Sequence, residues 1–289
     1  MPVVPLPLRD RAGLKPAAAS EIAPGTGRLE FTYVGDRTVL TRALAASPLK
    51  LLCPRRAKQS AAAYLATYGG GLVGGDHIDL SLTVGTGAGA LVATQASTKV
   101  YRSSLGASQS LHAQVASDGL LVLLPDPVVC FAGATYRQDQ RIRLDGKASL
   151  VIVDRVTAGR VEYGERWIFN EYASRIFVWQ GDRMLLHDAL RLTRHGGVDV
   201  AGRLDRFNCL AVVVLVGPAL VEMAGQLLSI ARSMPVKRRS DFLMSAAPLG
   251  DGGALVRMAS RSVESLDMAL RDHLQSLTAL LGSDPWIGK

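Results

Sequence analysis

Residues 69–84 read GGGLVGGDHIDLSLTV, and the segment after the glycines decides between two folds. Gly69, Gly71 and Gly74 have the G-x-G-x-x-G spacing of a dinucleotide-binding turn. That turn works only where a helix leaves the glycines, because the helix N-terminus supplies the amides and the dipole that hold pyrophosphate. Beyond Asp76, however, Ile78, Leu80, Leu82 and Val84 alternate with Asp79, Ser81 and Thr83. A period of two predicts a half-buried strand. The triphosphate spacing G-x-x-x-x-G-K fails as well: Gly70 and Gly75 fit, but Asp76 stands in the lysine position, where a carboxylate repels phosphate. The glycines then read as a tight strand-to-strand connection needing several positive φ values, which glycine adopts at little cost.

The same texture runs outward from this strand. Short alternating or apolar segments, separated by turn residues about every ten positions, cover 28–34, 38–43, 49–53, 62–68, 78–84, 90–94, 108–115, 120–124, 138–144, 150–156, 167–180 and 183–192. This spacing predicts an all-β architecture. There is no clean internal repeat, so the residues alone do not argue for a regular solenoid. Near Pro218 the character changes. Residues 218–233 start with proline at a plausible first helical position and space Leu220, Met223, Leu227 and Ala231 at helical intervals. A second helix is predicted from the N-cap Ser262 through Leu266, Leu270, Leu274, Leu277 and Leu281, stopping at Gly282.

With 289 residues the chain buries a large core without staples. The three cysteines, Cys53, Cys130 and Cys209, are far apart and form no C-x-x-C pair, which argues against a disulfide framework and for a reducing compartment. Prolines and early charges spoil any signal-peptide core at the N-terminus, and the longest apolar run, 209–221, is too short to span a membrane. The reading is a soluble, cytoplasmic protein with no membrane partner. The net charge of +8 is mostly scattered, and aromatic residues make up 6% of the chain, so nucleic-acid binding is not expected. A 48% hydrophobic content with positive mean hydropathy is high for a soluble monomer, and points to apolar surface reserved for a partner.

No catalytic or closed metal signature emerges from the five histidines or the cysteines. What stands out are polar residues beside glycines, prolines or polar runs: Asp76 after the glycine loop, Thr94 and Gln95, then Lys99, Tyr101 and Arg102, Asp126 between two prolines, Asp154 after Leu-Val-Ile-Val, and Glu165. Charge inside an apolar strand is costly unless paired. Two readings are open: buried ion pairs, for example Asp154 with Lys99 or an arginine, or a wet polar passage whose oxygens hand a divalent cation along weakly.

Taken together, GGGLVGGD at 69–76, TQASTKVYRSS at 94–104, LLPDPVV at 123–129, VDRVTAGR at 153–160 and GERW at 164–167, with Pro48-Leu49-Lys50 upstream, resemble the UreD (UreH) family of urease accessory proteins. The resemblance implies a mainly β fold, with many short strands in a β-helix-like or layered all-β arrangement and two α-helices in the C-terminal third. The residues themselves read as a flexible Pro-, Ala- and Gly-rich arm over 1–27 and one domain over 28–289, β-rich in 28–216 and helix-containing in 217–289. The resemblance implies a non-catalytic scaffold that docks on apo-urease with UreF and the GTPase UreG. Nickel(II) would be in transit with no tightly bound cofactor, and Asp76, Asp126, Asp154 and Glu165 would line its way. Gly70, Gly71, Gly74, Gly75, Thr94, Gln95, Lys99, Tyr101 and Arg102 would shape the fold or meet partners. Many members carry an acid just before the proline of the LPDP segment, where this chain has Leu121 to Leu124, so Val122 receives no ligand role. The alternative is a nucleotide-dependent enzyme using the loop at 69–75.

Overall fold

The computed structural model describes residues 22–54, 59–197 and 199–287. A strand does come after the glycines, and its alternation has the expected consequence: Ile78, Leu80, Leu82 and Val84 are buried while His77, Ser81 and Thr83 face water. In chain order the strands are β1 Thr26–Val34, β2 Arg37–Ala45, β3 Leu49–Leu52, β4 Ala61–Thr67, β5 His77–Val84, β6 Gly89–Thr94, β7 Thr98–Val100, β8 Ala107–Val115 and β9 Leu120–Leu124. They continue as β10 Val128–Cys130, β11 Thr135–Leu144, β12 Ser149–Thr157, β13 Glu171–Gln180, β14 Arg183–Thr193, β15 Cys209–Val216, β16 Phe242–Leu249 and β17 Gly253–Ser260. The α-helices are α1 Val200–Leu204, α2 Val221–Ser233, α3 Val263–His273 and α4 Leu277–Leu281.

From β4 to β13 the longer strands alternate between two sheets, so each sheet fills with parallel neighbours. The seven-stranded sheet runs β14-β13-β11-β8-β5-β1-β2, and the ten-stranded sheet takes the path β16-β17-β15-β12-β9-β6-β4-β3. This is the layered, β-helix-like arrangement expected of a mainly β fold. Inward side chains of both sheets form one core, including Leu29, Leu80, Leu111, Ile142, Ile152 and Ile176. A second core lies beyond the ten-stranded sheet, where Met223, Leu227, Leu266, Leu270, Leu277 and Leu281 of the helices meet Val151, Val153 and Val213. The ten-stranded sheet is therefore buried on both faces, and every residue of β9 and β12 is buried. That is why LLVLL and LVIV are continuous apolar runs while β5 and β11 alternate.

The apolar run at 209–216 is strand β15, inserted between β12 and β17, where both of its faces are covered. Two expectations are corrected. The hairpin β16–β17 lies between the two expected helices, in a segment for which only helices were expected; its turn residues Asp251-Gly252-Gly253 are a hairpin signal of the ordinary kind. The single helix expected over 262–281 is two helices. Leu277 N–H donates to Leu274 O at 3.0 Å, a three-residue step that keeps both leucines on the buried face but ends α3. Its N-cap is as expected, with Ser262 Oγ accepting from Ser265 N–H at 3.2 Å. The expected arm lies mostly outside the described residues, and its last two, Thr26 and Gly27, open β1. Among the described residues no helix is long and apolar enough to cross a membrane.

The glycine loop leads into a strand and presents no helix N-terminus, so the amides a pyrophosphate needs are not gathered there. Its glycines serve two purposes. Gly69, Gly70 and Gly75 have φ of 84°, 72° and 87°. Gly71 lets a backbone pass: a β-carbon there would sit 2.7 Å from Lys99 O, next to the bond Leu72 N–H makes to that same oxygen at 2.8 Å. Gly71→Ala is expected to cost about 1–3 kcal/mol, as overpacking against backbone does. Gly69→Asn should cost less, because space is open there and asparagine tolerates a left-handed φ. Equal losses in urea unfolding would contradict the close-approach explanation.

Candidate functional site

The ten-stranded sheet has a gap in its middle. β12 pairs with β9 as far as Ile152 opposite Leu123, and pairs with β10 again from Val156 opposite Val128. Between them lies Pro125-Asp126-Pro127, whose two prolines have no N–H to donate, so the ladder stops. The remaining polar groups find other partners. Asp126 N–H donates to Thr94 Oγ1 at 2.8 Å, and the Pro125 carbonyl accepts from the Arg155 guanidinium at 2.6 and 3.2 Å.

Opposite this gap β12 carries Asp154 and Arg155, which point to opposite faces as neighbours in a strand must. Arg155, 2% exposed, turns toward the helices, where it pairs with Asp267 of α3 and lies 3.4 Å from Asp126. Asp154, 7% exposed, turns between the sheets. Among the described residues it forms no ion pair with a basic side chain. Gln138 Nε2 donates to its Oδ1 at 2.7 Å and Ser174 Oγ to its Oδ2 at 2.5 Å. Tyr136 Oη donates to Gln138 Oε1 at 3.3 Å, and the Tyr136 and Tyr172 rings stack with centroids 6.1 Å apart. Burial pushes the Asp154 carboxyl above its usual range; the bonds from Ser174 and Gln138 pull it back in part, and nearby Asp188 pushes it up further. Asp188 itself is ion-paired with Arg257. Burial likewise keeps the Tyr136, Tyr172 and Cys130 protons on, so no thiolate or phenolate competes with the carboxylate.

A cavity of about 40 Å³ sits at this network, lined by Thr94, Gln109, Asp126, Gln138, Gln140 and Asp154 among others. That is room for a few waters, since one needs roughly 10–15 Å³. A second cavity, of about 110 Å³, shares Leu65, Thr94, Thr98 and Gln109 with it and reaches the surface at the exposed Gln95 and Ala96, beside Gly70. Gly70, Thr94, Gln95, Asp126 and Asp154 thus line two adjoining cavities, whose other walls are largely apolar, with Leu49, Leu72 and Ile78 in the outer one and Leu111, Leu123 and Val128 in the inner. Among the described residues no three histidine, cysteine or acidic side chains converge, so the polar part of the walls offers single carboxylates and neutral oxygens, with Arg155 also on the inner cavity beside Asp126.

The other singled-out residues gather at one end of the two sheets. Leu72 bridges Val100, Tyr101 packs edge-on to Phe131 at 5.0 Å, and Gly133 leaves room for Arg102. Gly71 and Gly74 back onto Tyr101 and Ser103, and Gly75 N–H donates to Gly106 O at 2.7 Å. Asp76 and Glu165, expected to face a water-filled space, have local partners. Asp76 Oδ2 closes its own turn by accepting from Val73 N–H at 2.8 Å. Glu165 accepts from both arms of Arg160 and from Ala132 N–H, and the guanidinium holds its carboxyl below the usual range. The ion-pair reading therefore fits Glu165 and Arg155, and does not fit Asp154. Val73, Leu105 and Tyr163 at this end are exposed.

Sequence reasoning missed Tyr136, Gln138, Gln140, Tyr172 and Ser174. A signal existed: in YRQDQRIRL the two glutamines share a face with a tyrosine and an isoleucine that belong in a core.

The family model described as UreD urease accessory protein matches residues 23–287. A urease accessory protein UreD of Sorangium cellulosum (strain So ce56) is 50% identical over 266 residues, covering 92% of this chain and 84% of its own length. One from Anaeromyxobacter sp. (strain Fw109-5) is 44% identical, with 91% and 88% covered. Urease accessory protein D of Oryza sativa subsp. indica is 35% identical, with 93% and 98% covered.

The geometry sets two expected outcomes. A carboxyl whose folded pKa is raised is penalised once it ionises, so Asp154 costs nothing below the unfolded carboxylate range and destabilises as pH rises through its folded pKa. Asp154→Asn should therefore melt with the wild type near pH 4 and a few degrees above it near pH 8; a variant that melts lower at pH 8 would mean the charge is compensated. Arg155→Ala, which strands Asp267 and the Pro125 carbonyl, should cost roughly 3–5 kcal/mol in denaturant unfolding.

Proposed function

The chain belongs to the UreD family of urease accessory proteins, and from that premise we propose that it is a non-catalytic scaffold in the cytoplasm. It docks on apo-urease together with UreF and UreG, and passes nickel(II) through the space between its sheets. The observation that carries this reading is Asp154: a buried carboxyl with no ion-pair partner among the described residues, on the inner of two adjoining cavities, the outer of which opens at Gln95.

A cation entering at Gln95 meets Thr94, Asp126, Gln109, Gln138 and then Asp154, all of them oxygen donors. Neutral oxygens and single carboxylates hold a divalent metal loosely, which suits cargo that must leave again. Burial raises the Asp154 pKa, and an arriving Ni²⁺ would take the carboxylate as its ligand in exchange for any proton the group holds. Gln138 and Ser174 hold both oxygens in place, so the group is set before the metal comes. GTP hydrolysis belongs to UreG, consistent with a glycine loop that leads into a strand.

Asp76 and Glu165 we assign to the docking end and away from the cation's route. There Gly70, Gly71, Gly74, Gly75, Lys99, Tyr101 and Arg102 build loops whose exposed Val73, Leu105 and Tyr163 suit a protein partner.

Asp154→Asn separates transfer from folding, because it removes the charge and keeps the shape. Co-expressed with UreF, UreG and apo-urease, it should co-purify as the wild type does, yet load about tenfold less nickel per urease active site by elemental analysis. Normal loading would remove Asp154 from the route.

A further inference from the structure

The ten-stranded sheet is covered on both faces, while no helix or strand among the described residues covers the outer face of the seven-stranded sheet, an unusual state for parallel strands. Along β5 and β8 this face carries Ser81, Thr83, Ser110, His112 and Gln114. Across β11, β13 and β14 it becomes arginine and aromatic. The register sets Arg141 opposite Phe177, Arg143 opposite Trp179, and Phe177 opposite His187. The Arg141 guanidinium lies 4.7 Å from the centre of the Phe177 ring and that of Arg143 5.1 Å from Trp179. His187 stacks on Phe177 at 4.4 Å, and the Phe177 and Trp179 planes are within 13° of each other.

The arginines on this face fall into two groups. Arg175 is paired with Asp139, and Arg137 and Arg191 share Glu171; burial opposes ionising Glu171, but the two guanidiniums prevail and hold its pKa low. Arg141 and Arg143 are exposed, and neither is ion-paired with a carboxylate among the described residues. Stacking orders their planes and leaves their N–H edges to solvent. Such pre-ordered edges suit bidentate carboxylates, with less side-chain freedom to lose on binding.

We propose that the stripe of Arg141 and Arg143, backed by Phe177 and Trp179, is a docking surface for an acidic face of a partner protein. It would receive two carboxylates roughly 7 Å apart, the spacing of a two-residue step along a strand. A second copy of the chain is a poor occupant, because each carries +8. Residues 1–21 are no better, with Arg9, Arg11 and Lys15 against Asp10 and Glu21. Single-stranded nucleic acid stacks bases on open ring faces. Here β13 lies between β11 and β14, so Arg141 and His187 reach Phe177 from opposite sides and close both of its faces.

The test uses the full chain co-expressed with UreF, as wild type, Arg141→Glu/Arg143→Glu and the milder Arg141→Gln/Arg143→Gln. UreF co-purification, apo-urease binding at low and raised salt, and binding of a single-stranded RNA oligonucleotide are measured, with thermal melts to confirm folding. Expected is an affinity for UreF or apo-urease that falls about tenfold or more in the Glu variant, less in the Gln variant, and weakens with salt in the wild type. Wild-type binding that neither variant changes would overturn this proposal and leave the scaffold reading intact. RNA binding lost in the variants would overturn it in favour of a nucleic-acid face. A wild type that binds neither protein sinks the scaffold reading, and this inference, which takes its probes from that reading, with it.

Discussion

Asp154 and Arg155 are adjacent, oppositely charged and in the middle of a sheet buried on both faces, and they cannot neutralise each other. Strand geometry sends one to each side, so each must be satisfied in a different layer. Arg155 is answered by Asp267, Asp126 and a proline carbonyl in the helical layer. Asp154 is answered by an amide and a hydroxyl from the other sheet. The first solution is ionic and closed. The second leaves a carboxyl with no ion-pair partner among the described residues, whose ionisation burial opposes, an arrangement that a core does not hold for stability.

The neighbouring sequence fits around this asymmetry. Pro125-Asp126-Pro127 breaks the ladder beside the two charges, and the break frees the carbonyl that Arg155 needs and opens the cavity that Asp154 lines. Thr94 holds the break in shape from the next strand. Motifs far apart in the chain thus describe one location, because the chain winds back to it with every turn between the sheets.

Strands were legible where one face is wet, since alternation in β5 or β8 needs no knowledge of neighbours. Helix caps were legible too, as Ser262 illustrates, because capping is local. The three-residue strands β7 and β10 were not: they are set by pairing with each other and with β12. The hairpin β16–β17 was hidden by its half-exposed pattern in β16, despite its turn residues. Asp154 and Asp126 could be picked out as charges in apolar or proline-rich surroundings. Their partners Gln138 and Ser174 could not, since which residue faces a buried charge depends on register between strands 16 and 20 positions away. Glu165 is a different case, since its partner Arg160 is only five residues upstream and is brought to it by the intervening turn.

Arg155 and Asp267 are separated by 112 residues. In the order of synthesis, both sheets through β15 are complete before the carboxylate that closes the helical side of the gap exists. Any product ending before α3 has all the strands that line the cavity, with a guanidinium in the central strand lacking its main anion. Helix α3 is thus a latch added after both sheets, and the gap is closed only in a chain that has been extended past Asp267.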